Sequence, residues 1–313
     1  MNCLVTGASG FIGGSLVNRL VKEKHNVRAL IHTSKSKEVI KKVEYFNGDI
    51  TNIDTLFDAV KNIDVVFHCA AYVKDYGPKK NFYKINYEGT KNIVKACEKE
   101  KILRFIFLSH IIYETKSNSY YSKTKELAEN YLINKYKSDK FPVVIIRPGN
   151  VYGPGATTRV LRPINAIMKN RIALINGGIG IFHHTFVDNL LDAMMLSMKE
   201  PKALGEVIDV TDGTNDTKWR DYLNSLSEFV VKKEINRNFS ISNMIVLSKI
   251  MMFGYKLFKI EPWITPEAIE IFTNNSKISI DKAKNILGYK PKIDYKKGMI
   301  KVKKWLKEEG YVS

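Results

Sequence analysis

Tyr121 and Lys125 are the two side chains whose types and spacing most clearly predict chemistry. They begin a helical run over residues 121–132, and residues four apart lie on one face of a helix. A lysine ammonium there lowers the pKa of the phenol and can also hold a ribose hydroxyl. Such a tyrosine can exchange a proton with an alcohol or carbonyl while a nicotinamide exchanges hydride. The pair therefore predicts acid–base chemistry coupled to hydride transfer.

That chemistry needs a bound dinucleotide, and the start of the chain predicts a site for one. A short apolar run opens directly into a loop with three glycines, followed by an amphipathic stretch. Gly7 permits a sharp turn, Gly10 lets the backbone approach a pyrophosphate, and Gly13 lets the helix pack on the strand. The helix N-terminus, with Phe11 and Ile12, offers free N–H groups and the positive end of its dipole to phosphates. We predict cofactor contacts from all five residues.

The same strand–helix alternation continues through the first half of the chain and predicts an α/β fold with a doubly wound parallel sheet of the Rossmann type. Helical patterns fall near 36–42, 52–61, 81–100 and 120–138. The predicted later strands are Asn26–Ile31, Val43–Phe46, Asp64–Cys69, Arg104–Leu108 and Pro142–Arg147. We predict a dinucleotide-binding domain over 1–152 and a smaller, mostly helical substrate domain over 153–313. A strand near 206–210 is expected to return to the main sheet, and an amphipathic helix is expected near 295–309.

Charge and cysteine usage narrow the class of protein. Fifty Lys and Arg against 32 Asp and Glu give a formal net charge of +18 over 313 residues. The lysines are scattered and accompany no nucleic-acid motif, so we predict no nucleic-acid partner. Electrostatic attraction of the positively charged chain to anionic ligands or membrane surfaces is an alternative that the sequence leaves open. The three cysteines lack metal-ligand spacing and no signal peptide precedes the first strand, so we expect a cytoplasmic protein with reduced thiols and no metal site.

Together these motifs resemble the extended short-chain dehydrogenase/reductases, nearly end to end. The matching stretches are Thr6–Gly13, Gly48–Ile50, His68–Ala71, Asn86–Thr90, Tyr121 with Lys125, and Arg147–Pro154. The resemblance implies that Asp49 and Ile50 flank an adenine and that Ala70 and Ala71 line the cofactor. It places Pro148, Asn150 and Val151 beside the nicotinamide. It also implies that Asn86 bends the helix supporting the active site, and that the chain forms a homodimer through the helices near 81–100 and 120–138.

Within that family, the second half resembles the 3β-hydroxysteroid dehydrogenase and dihydroflavonol-reductase-like branch. Nucleotide-sugar enzymes of the family usually carry a diphosphate-gripping arginine a few residues before the Phe186-Val187-Asp188 stretch. Phe182 stands at that place here, followed by His183 and His184. This argues against a sugar nucleotide as substrate. The two adjacent histidines are expected to pack or line a pocket, because without a third ligand both cannot serve one metal ion.

The third catalytic residue of the family, a Ser or Thr at the end of the fifth strand, has two candidates. Counting along the strand from Arg104 leads to His110, whereas counting back from Tyr113 by the family spacing leads to Ser109. We favour Ser109. An imidazole N–H of His110 could also donate to a substrate oxygen.

The end of the second strand bears on the choice of cofactor. NAD-preferring relatives place an acid there to hold the ribose 2′-hydroxyl. Ile31 takes that place, followed by His32 and Lys35. Without a repelling carboxylate, and with cationic groups nearby, a 2′-phosphate is tolerated or preferred. We therefore predict NADP(H), with NAD open, and contacts from His32 and Lys35.

Residues 241–258 are unusually apolar but contain Lys249 and Lys256, which argues against a bilayer span. Core packing, the roof of a lipophilic pocket and a peripheral membrane contact are all open.

The sequence thus favours an NAD(P)-dependent oxidoreductase acting on a hydroxyl or keto group of a lipophilic or other non-nucleotide small molecule. One alternative is a nucleotide-sugar epimerase or dehydratase with tightly bound NAD. The other is a non-catalytic dinucleotide-binding sensor, against which the intact pair of Tyr121 and Lys125 argues.

Overall fold

The computed structural model describes residues 1–32, 40–112 and 119–312. Three predictions fall wholly or partly outside these ranges: those for Lys35, for Tyr113 and for residues 36–39 of the helix near 36–42. Residues 40–42 belong to a turn before the third strand, so the predicted helix does not extend over them.

The described residues form a seven-stranded sheet in which every neighbouring pair is parallel. The strands of the described residues, including four that lie outside this sheet, are β1 Asn2–Thr6, β2 Asn26–Ile31, β3 Val43–Asn47, β4 Val65–His68, β5 Arg104–Leu108, β6 Val143–Pro148, β7 Asn150–Tyr152, β8 Leu174–Ile175, β9 His184–Phe186, β10 Val207–Val210 and β11 Asn238–Phe239. The sheet order is β10-β6-β5-β4-β1-β2-β3, and β7 with β9 and β8 with β11 form two small ribbons. The order reverses at β1, so the crevice beside the end of β1 is where a doubly wound sheet binds its ligand.

Helices cover both faces of this sheet. The α-helices are α1 Phe11–Lys22, α2 Asp54–Ala59, α3 Lys79–Phe82, α4 Gly89–Cys97, α5 Tyr120–Asp139, α6 Arg162–Met168, α7 Val187–Lys199, α8 Trp219–Val230, α9 Ile241–Phe258, α10 Pro266–Thr273, α11 Asp281–Leu287 and α12 Tyr295–Glu308. Alternate residues of each strand enter opposite cores: Val5 packs with α1 and α7, whereas Leu4 packs with α2, α4 and α5. This two-sided burial is why the strands are almost continuously apolar. The predicted Rossmann-type fold is confirmed.

β10 belongs to the main sheet, although it lies far along the chain. It pairs with β6, with Val207 opposite Ile145 and Val210 opposite Pro148. The segments between β7 and β9 and those after β10 build a mostly helical region above the carboxyl ends of the strands, which supplies α8 to α12.

α9 departs from ordinary core packing. Only Met244 and Ser248 of its 18 residues are buried. By length and composition, it is the one helix in the described part of the chain that could cross a membrane. Core packing, one of the three interpretations left open above, therefore describes only the face of this helix that carries Met244 and Ser248.

Candidate active site

A cleft of about 840 Å³ runs along the carboxyl ends of the strands. Among the described residues, every predicted cofactor-site and catalytic residue except Lys125 lines it. These residues are Gly7, Gly10, Phe11, Ile12, Gly13, His32, Asp49, Ile50, Ala70, Ala71, Ser109, Tyr121, Pro148, Asn150 and Val151, with His110 beside them. The fold therefore brings segments from the ends of six strands, β1 to β6, to one crevice, as expected for a parallel sheet.

The glycine loop between β1 and α1 is tight enough to demand its glycines. Gly7 has φ +69°, and its carbonyl accepts a hydrogen bond of 3.0 Å from the N–H of Gly10. A Cβ on Gly13 would lie 2.2 Å from the oxygen of Gly7. No side chain caps the N-terminus of α1 at Gly10, so its first N–H groups face the cleft with the positive end of the helix dipole. The loop fits a dinucleotide pyrophosphate.

His32 and Asp49 meet at the far end of the cleft, at the ends of β2 and β3. The imidazole Nε2 of His32 lies 3.1 Å from a carboxylate oxygen of Asp49. Desolvation works to raise the pKa of Asp49, but hydrogen bonds from the backbone and hydroxyl of Thr51, with His32, lower it overall. An ionised carboxylate thus lies beside the imidazole, a pairing that the residue order along β2 does not reveal.

Asn86 anchors the helix beneath the active site. It lies in a π-helical segment, Tyr83–Glu88, between α3 and α4. Its side-chain oxygen accepts from the N–H of Tyr72 at 2.7 Å, and its amide donates to Thr124 of α5 at 3.1 Å. The expected bend is therefore a π-helical segment that ties α5, and with it Tyr121, to the loop after β4.

Lys125 is buried below the cleft rather than lining it. Its ammonium donates to the carbonyl of Leu108 at 2.5 Å and lies 3.8 Å from the centre of the Phe107 ring. Burial lowers the pKa of Lys125 to about 7, while the carboxylate of Glu129 opposes the fall. Near neutral pH both forms of this amine are populated.

Tyr121 has a raised pKa, opposite to the lowering expected from Lys125. Burial is the largest cause, the Glu267 carboxylate adds to it, and Arg159 opposes it. Burial and Glu267, rather than Lys125, dominate the surroundings of the phenol, and the Lys125 ammonium donates to the carbonyl of Leu108. At neutral pH the phenol is a proton donor, which suits reduction of a carbonyl.

A chain of polar groups runs from His110 to Glu267. His110 Nε2 lies 3.2 Å from the hydroxyl oxygen of Ser122, and that hydroxyl donates to Glu267 at 3.0 Å. Burial and the charges of Lys125 and Arg147 lower the pKa of His110 to about 3, so the ring is neutral. Because the Ser122 proton goes to Glu267, the single N–H of His110 must be on Nε2. Its Nδ1 is then an acceptor.

This proton order separates the two candidates for the third catalytic position. Among the described residues, neither Ser109 Oγ nor His110 Nδ1 has a hydrogen-bond partner, and both atoms are buried. An unpaired buried hydroxyl costs about 1–3 kcal/mol unless a ligand satisfies it. Ser109 retains a donor for a substrate oxygen, whereas His110 presents a lone pair beside the Tyr121 ring, 5.1 Å between centroids.

Glu267, Ser122 and Arg159 are site residues that the sequence reasoning missed. Glu267 enters from the first turn of α10, 145 residues after Ser122. Its local motif, Thr265 capping α10 with Pro266 behind it, signals only a helix start. Nothing in that spacing points to an active site.

The histidine pair lies in the core of the C-terminal region. His183 Nε2 donates to the carbonyl of Ser276 at 2.6 Å, and His184 Nδ1 lies 2.7 Å from Asp212. Phe182 stacks on Tyr222 at 3.9 Å, so the position expected to hold an arginine in sugar-nucleotide enzymes is filled by an aromatic cluster.

The fold, the glycine loop and the tyrosine–lysine helix define a dinucleotide-dependent enzyme of the extended short-chain dehydrogenase/reductase type. The chain belongs to the NAD dependent epimerase/dehydratase family, whose pattern matches residues 3–211. It is 27% identical to the sterol-4-alpha-carboxylate 3-dehydrogenase, decarboxylating, of Mus musculus, over 92% of this chain and 86% of the mouse protein. It is 28% identical to a 3-beta-hydroxysteroid dehydrogenase of Mycolicibacterium neoaurum, over 92% of this chain and 86% of the bacterial protein.

Solved structures show the same fold. The epimerase Mth375 of Methanothermobacter thermautotrophicus superposes with a TM-score of 0.79 at 22% identity, covering 98% of this chain and 92% of that one. The UDP-glucuronic acid 4-epimerase of Bacillus cereus in complex with NAD has a TM-score of 0.78 at 23% identity, covering 99% of both chains.

Replacing Glu267 with glutamine is expected to shift the pH dependence of alcohol oxidation. The carboxylate disfavours the phenolate and so raises the pKa of Tyr121. Its removal lowers that pKa, and the rising limb of kcat/KM against pH should move to lower pH. The control is Glu270→Gln on the same helix. An unchanged limb in Glu267→Gln would contradict the placement of Glu267 beside the phenol.

Proposed function

We propose that this enzyme transfers a hydride between NADP(H), with NAD(H) as the alternative, and a hydroxyl or keto carbon of a lipophilic, non-nucleotide small molecule of the sterol class. The observation that carries the proposal is the single cleft in which the glycine loop, the Tyr121 phenol and the unpaired Ser109 hydroxyl converge. The sterol substrates named for the relatives support the substrate class.

The chain's own residues divide the reaction between them. In oxidation, Tyr121 in its phenolate form takes the proton of the substrate hydroxyl as the carbonyl forms and the hydride leaves the carbinol carbon. Ser109 donates a hydrogen bond to the same oxygen, and Lys125 supports the end of β5 behind it. A coenzyme with its pyrophosphate on the glycine loop and its nicotinamide beside Pro148, Asn150 and Val151 would supply the hydride acceptor. In reduction the proton moves from the Tyr121 phenol to the carbonyl oxygen.

The substrate end of the cleft suits an apolar molecule. Val73, Ile111 and Ile271 contribute apolar side chains to its lining. Phe182, at the place expected for the diphosphate-binding arginine of sugar-nucleotide enzymes, is fully buried in the core and leaves no cation there. Arg159 is a cationic group on this side of the cleft, beside Trp219. A lipophilic substrate with a small anionic group would fit both features.

The proposal of NADP(H) depends on the residues after β2. Ile31 is buried and offers no carboxylate, whereas the imidazole of His32 at the end of β2 is 69% exposed. Asp49 approaches from β3, but it is engaged by His32 and Thr51. A 2′-phosphate would meet the imidazole first.

The test is a redox assay with the purified protein, NADP⁺ or NAD⁺, and a panel of hydroxysteroids, flavanonols and aliphatic alcohols. We expect coenzyme reduction with a hydroxysteroid, faster with NADP⁺, and no thermal stabilisation by a UDP-hexose. Stabilisation by UDP-hexose without net redox change would favour the epimerase alternative. Coenzyme binding without turnover of any substrate class would favour the non-catalytic sensor.

A further inference from the structure

The outer face of α9 carries a stripe of exposed apolar side chains. Val246, Ile250, Phe253 and Leu257 recur at spacings of four, three and four, which places them on one side of a helix. Their exposed fractions are 58, 62, 63 and 54%. Phe258, Ile260 and Trp263 continue the apolar surface beyond the helix and are also exposed. A contiguous apolar surface of this kind marks a site of interaction.

The opposite face of α9 is already occupied by the protein. Met244 and Ser248 are buried, and Met244 packs in a small core with Ile175, Ile264 and Ile269. Tyr255 contacts Tyr76 edge-on, with 5.2 Å between ring centres. α9 is therefore apolar on both sides, and the fold uses only one of them.

The charges on α9 indicate that the partner covering the stripe is anionic. α9 contains no Asp or Glu, and Lys249 and Lys256, two turns apart, flank the stripe on one side. Both are exposed, as is Lys259 at the end of the helix. Lysines placed in this way attract anionic headgroups while their stems lie along apolar surface. A second copy packed through the same face would bring only lysines, and no Asp or Glu of α9, to these lysines, which opposes self-association at this stripe.

The geometry favours a helix lying on a bilayer over one crossing it. Its inner face packs against α10 and Tyr76, and both flanking segments return to the folded region. Two lysines within the helix would also have to enter hydrocarbon if it spanned the bilayer. A surface helix with an exposed apolar face and a basic flank lies in the interface plane, with that face about 5–10 Å deep.

α9 also borders the mouth of the active-site cleft. Its partner Tyr76 belongs to the loop after β4, in which Val73, Lys74 and Asp75 line the cleft. The next helix, α10, supplies Glu267 and Ile271 to the same cleft. We infer that α9 docks this enzyme on the surface of an anionic lipid bilayer and holds the cleft mouth at that surface, so that a membrane-dissolved substrate enters directly. The last clause rests on the proposed function, whereas the docking does not.

The test is flotation of the full-length protein with vesicles of phosphatidylcholine containing 30% phosphatidylglycerol, and with vesicles of phosphatidylcholine alone. We expect the protein to bind the anionic vesicles at least tenfold more strongly than the neutral ones. Binding to the anionic vesicles should weaken as the salt concentration rises. Ile250→Glu should weaken binding at least tenfold. Its control is Ile300→Glu on α12, since Ile300 is 61% exposed and the change in charge is the same.

A second pair of variants isolates the contribution of charge. Lys249→Gln/Lys256→Gln should weaken binding to the anionic vesicles about tenfold or more, whereas Lys296→Gln/Lys307→Gln, with the same loss of charge on α12, should not. Equal losses in both double variants would mean that overall charge, not α9, binds the bilayer, and would overturn the proposal. So would the absence of vesicle binding, or a self-association abolished by Ile250→Glu, which would assign the stripe to a second copy. The assay needs neither coenzyme nor substrate, so its failure is distinct from failure of the redox proposal.

Discussion

Replacing Tyr121 with phenylalanine is expected to lower kcat by about 10²–10⁴-fold, the range for loss of a positioned general acid or base. The variant keeps the ring, which lies beside the imidazole of His110, and removes only the hydroxyl that exchanges the proton. Coenzyme affinity should change little, because the glycine loop is untouched. Steady-state oxidation and reduction rates, with coenzyme binding measured by fluorescence, check both expectations.

The neighbouring tyrosine provides a matched control. Tyr120 is 42% exposed and also lies in the first turn of α5, but it does not line the cleft. Tyr120→Phe should therefore retain near-native kcat. If Tyr121→Phe turned over substrate as fast as Tyr120→Phe, another group would have to supply the proton, and the assignment of Tyr121 would be wrong.

Gly13→Ala is expected to have the second largest effect, on stability and on coenzyme binding together. The added Cβ would lie 2.2 Å from the oxygen of Gly7 and 2.7 Å from its carbonyl carbon. Both are backbone atoms, so the loop must shift, at a cost of about 1–3 kcal/mol for overpacking. The same shift turns the N–H groups of α1 away from the pyrophosphate. We expect a lower melting temperature and loss of most of the stabilisation by NADPH.

Gly254→Ala is the control, since Gly254 also lies within a helix and a Cβ there would meet nothing within 4 Å. It should leave stability unchanged or raise it by up to about 1 kcal/mol, because alanine favours helix. A Gly13→Ala protein with native stability and native coenzyme response would show that the loop tolerates a side chain, contrary to the packing described here.

Local patterns predicted the framework because each depends on neighbours in the chain. The apolar run Asn26–Ile31 and the run Arg104–Leu108 form strands with the predicted bounds. The sheet buries both faces of a strand, so a continuous apolar run is sufficient to indicate it. Likewise, the glycines at 7, 10 and 13 belong to one local turn of the backbone, so their spacing can be recognised in the sequence without knowledge of the fold.

The surroundings of the catalytic groups could not be predicted from such local patterns. The phenol of Tyr121 was expected to have a lowered pKa from Lys125, four residues away, but burial and Glu267 raise it. Desolvation depends on what packs above the side chain, and Glu267 arrives from a helix that begins at Pro266. Neither is encoded in the spacing of tyrosine and lysine.

The sequence by itself determined the parallel sheet, the phosphate-binding turn and the pair of residues on α5, since each arises from periodicity or spacing over one or two turns of chain. Tertiary structure alone decided the protonation of that pair, the proton order from His110 to Glu267, and the exposure of the stripe on α9. These depend on desolvation and on contacts between segments more than a hundred residues apart, and only the folded chain brings such segments together.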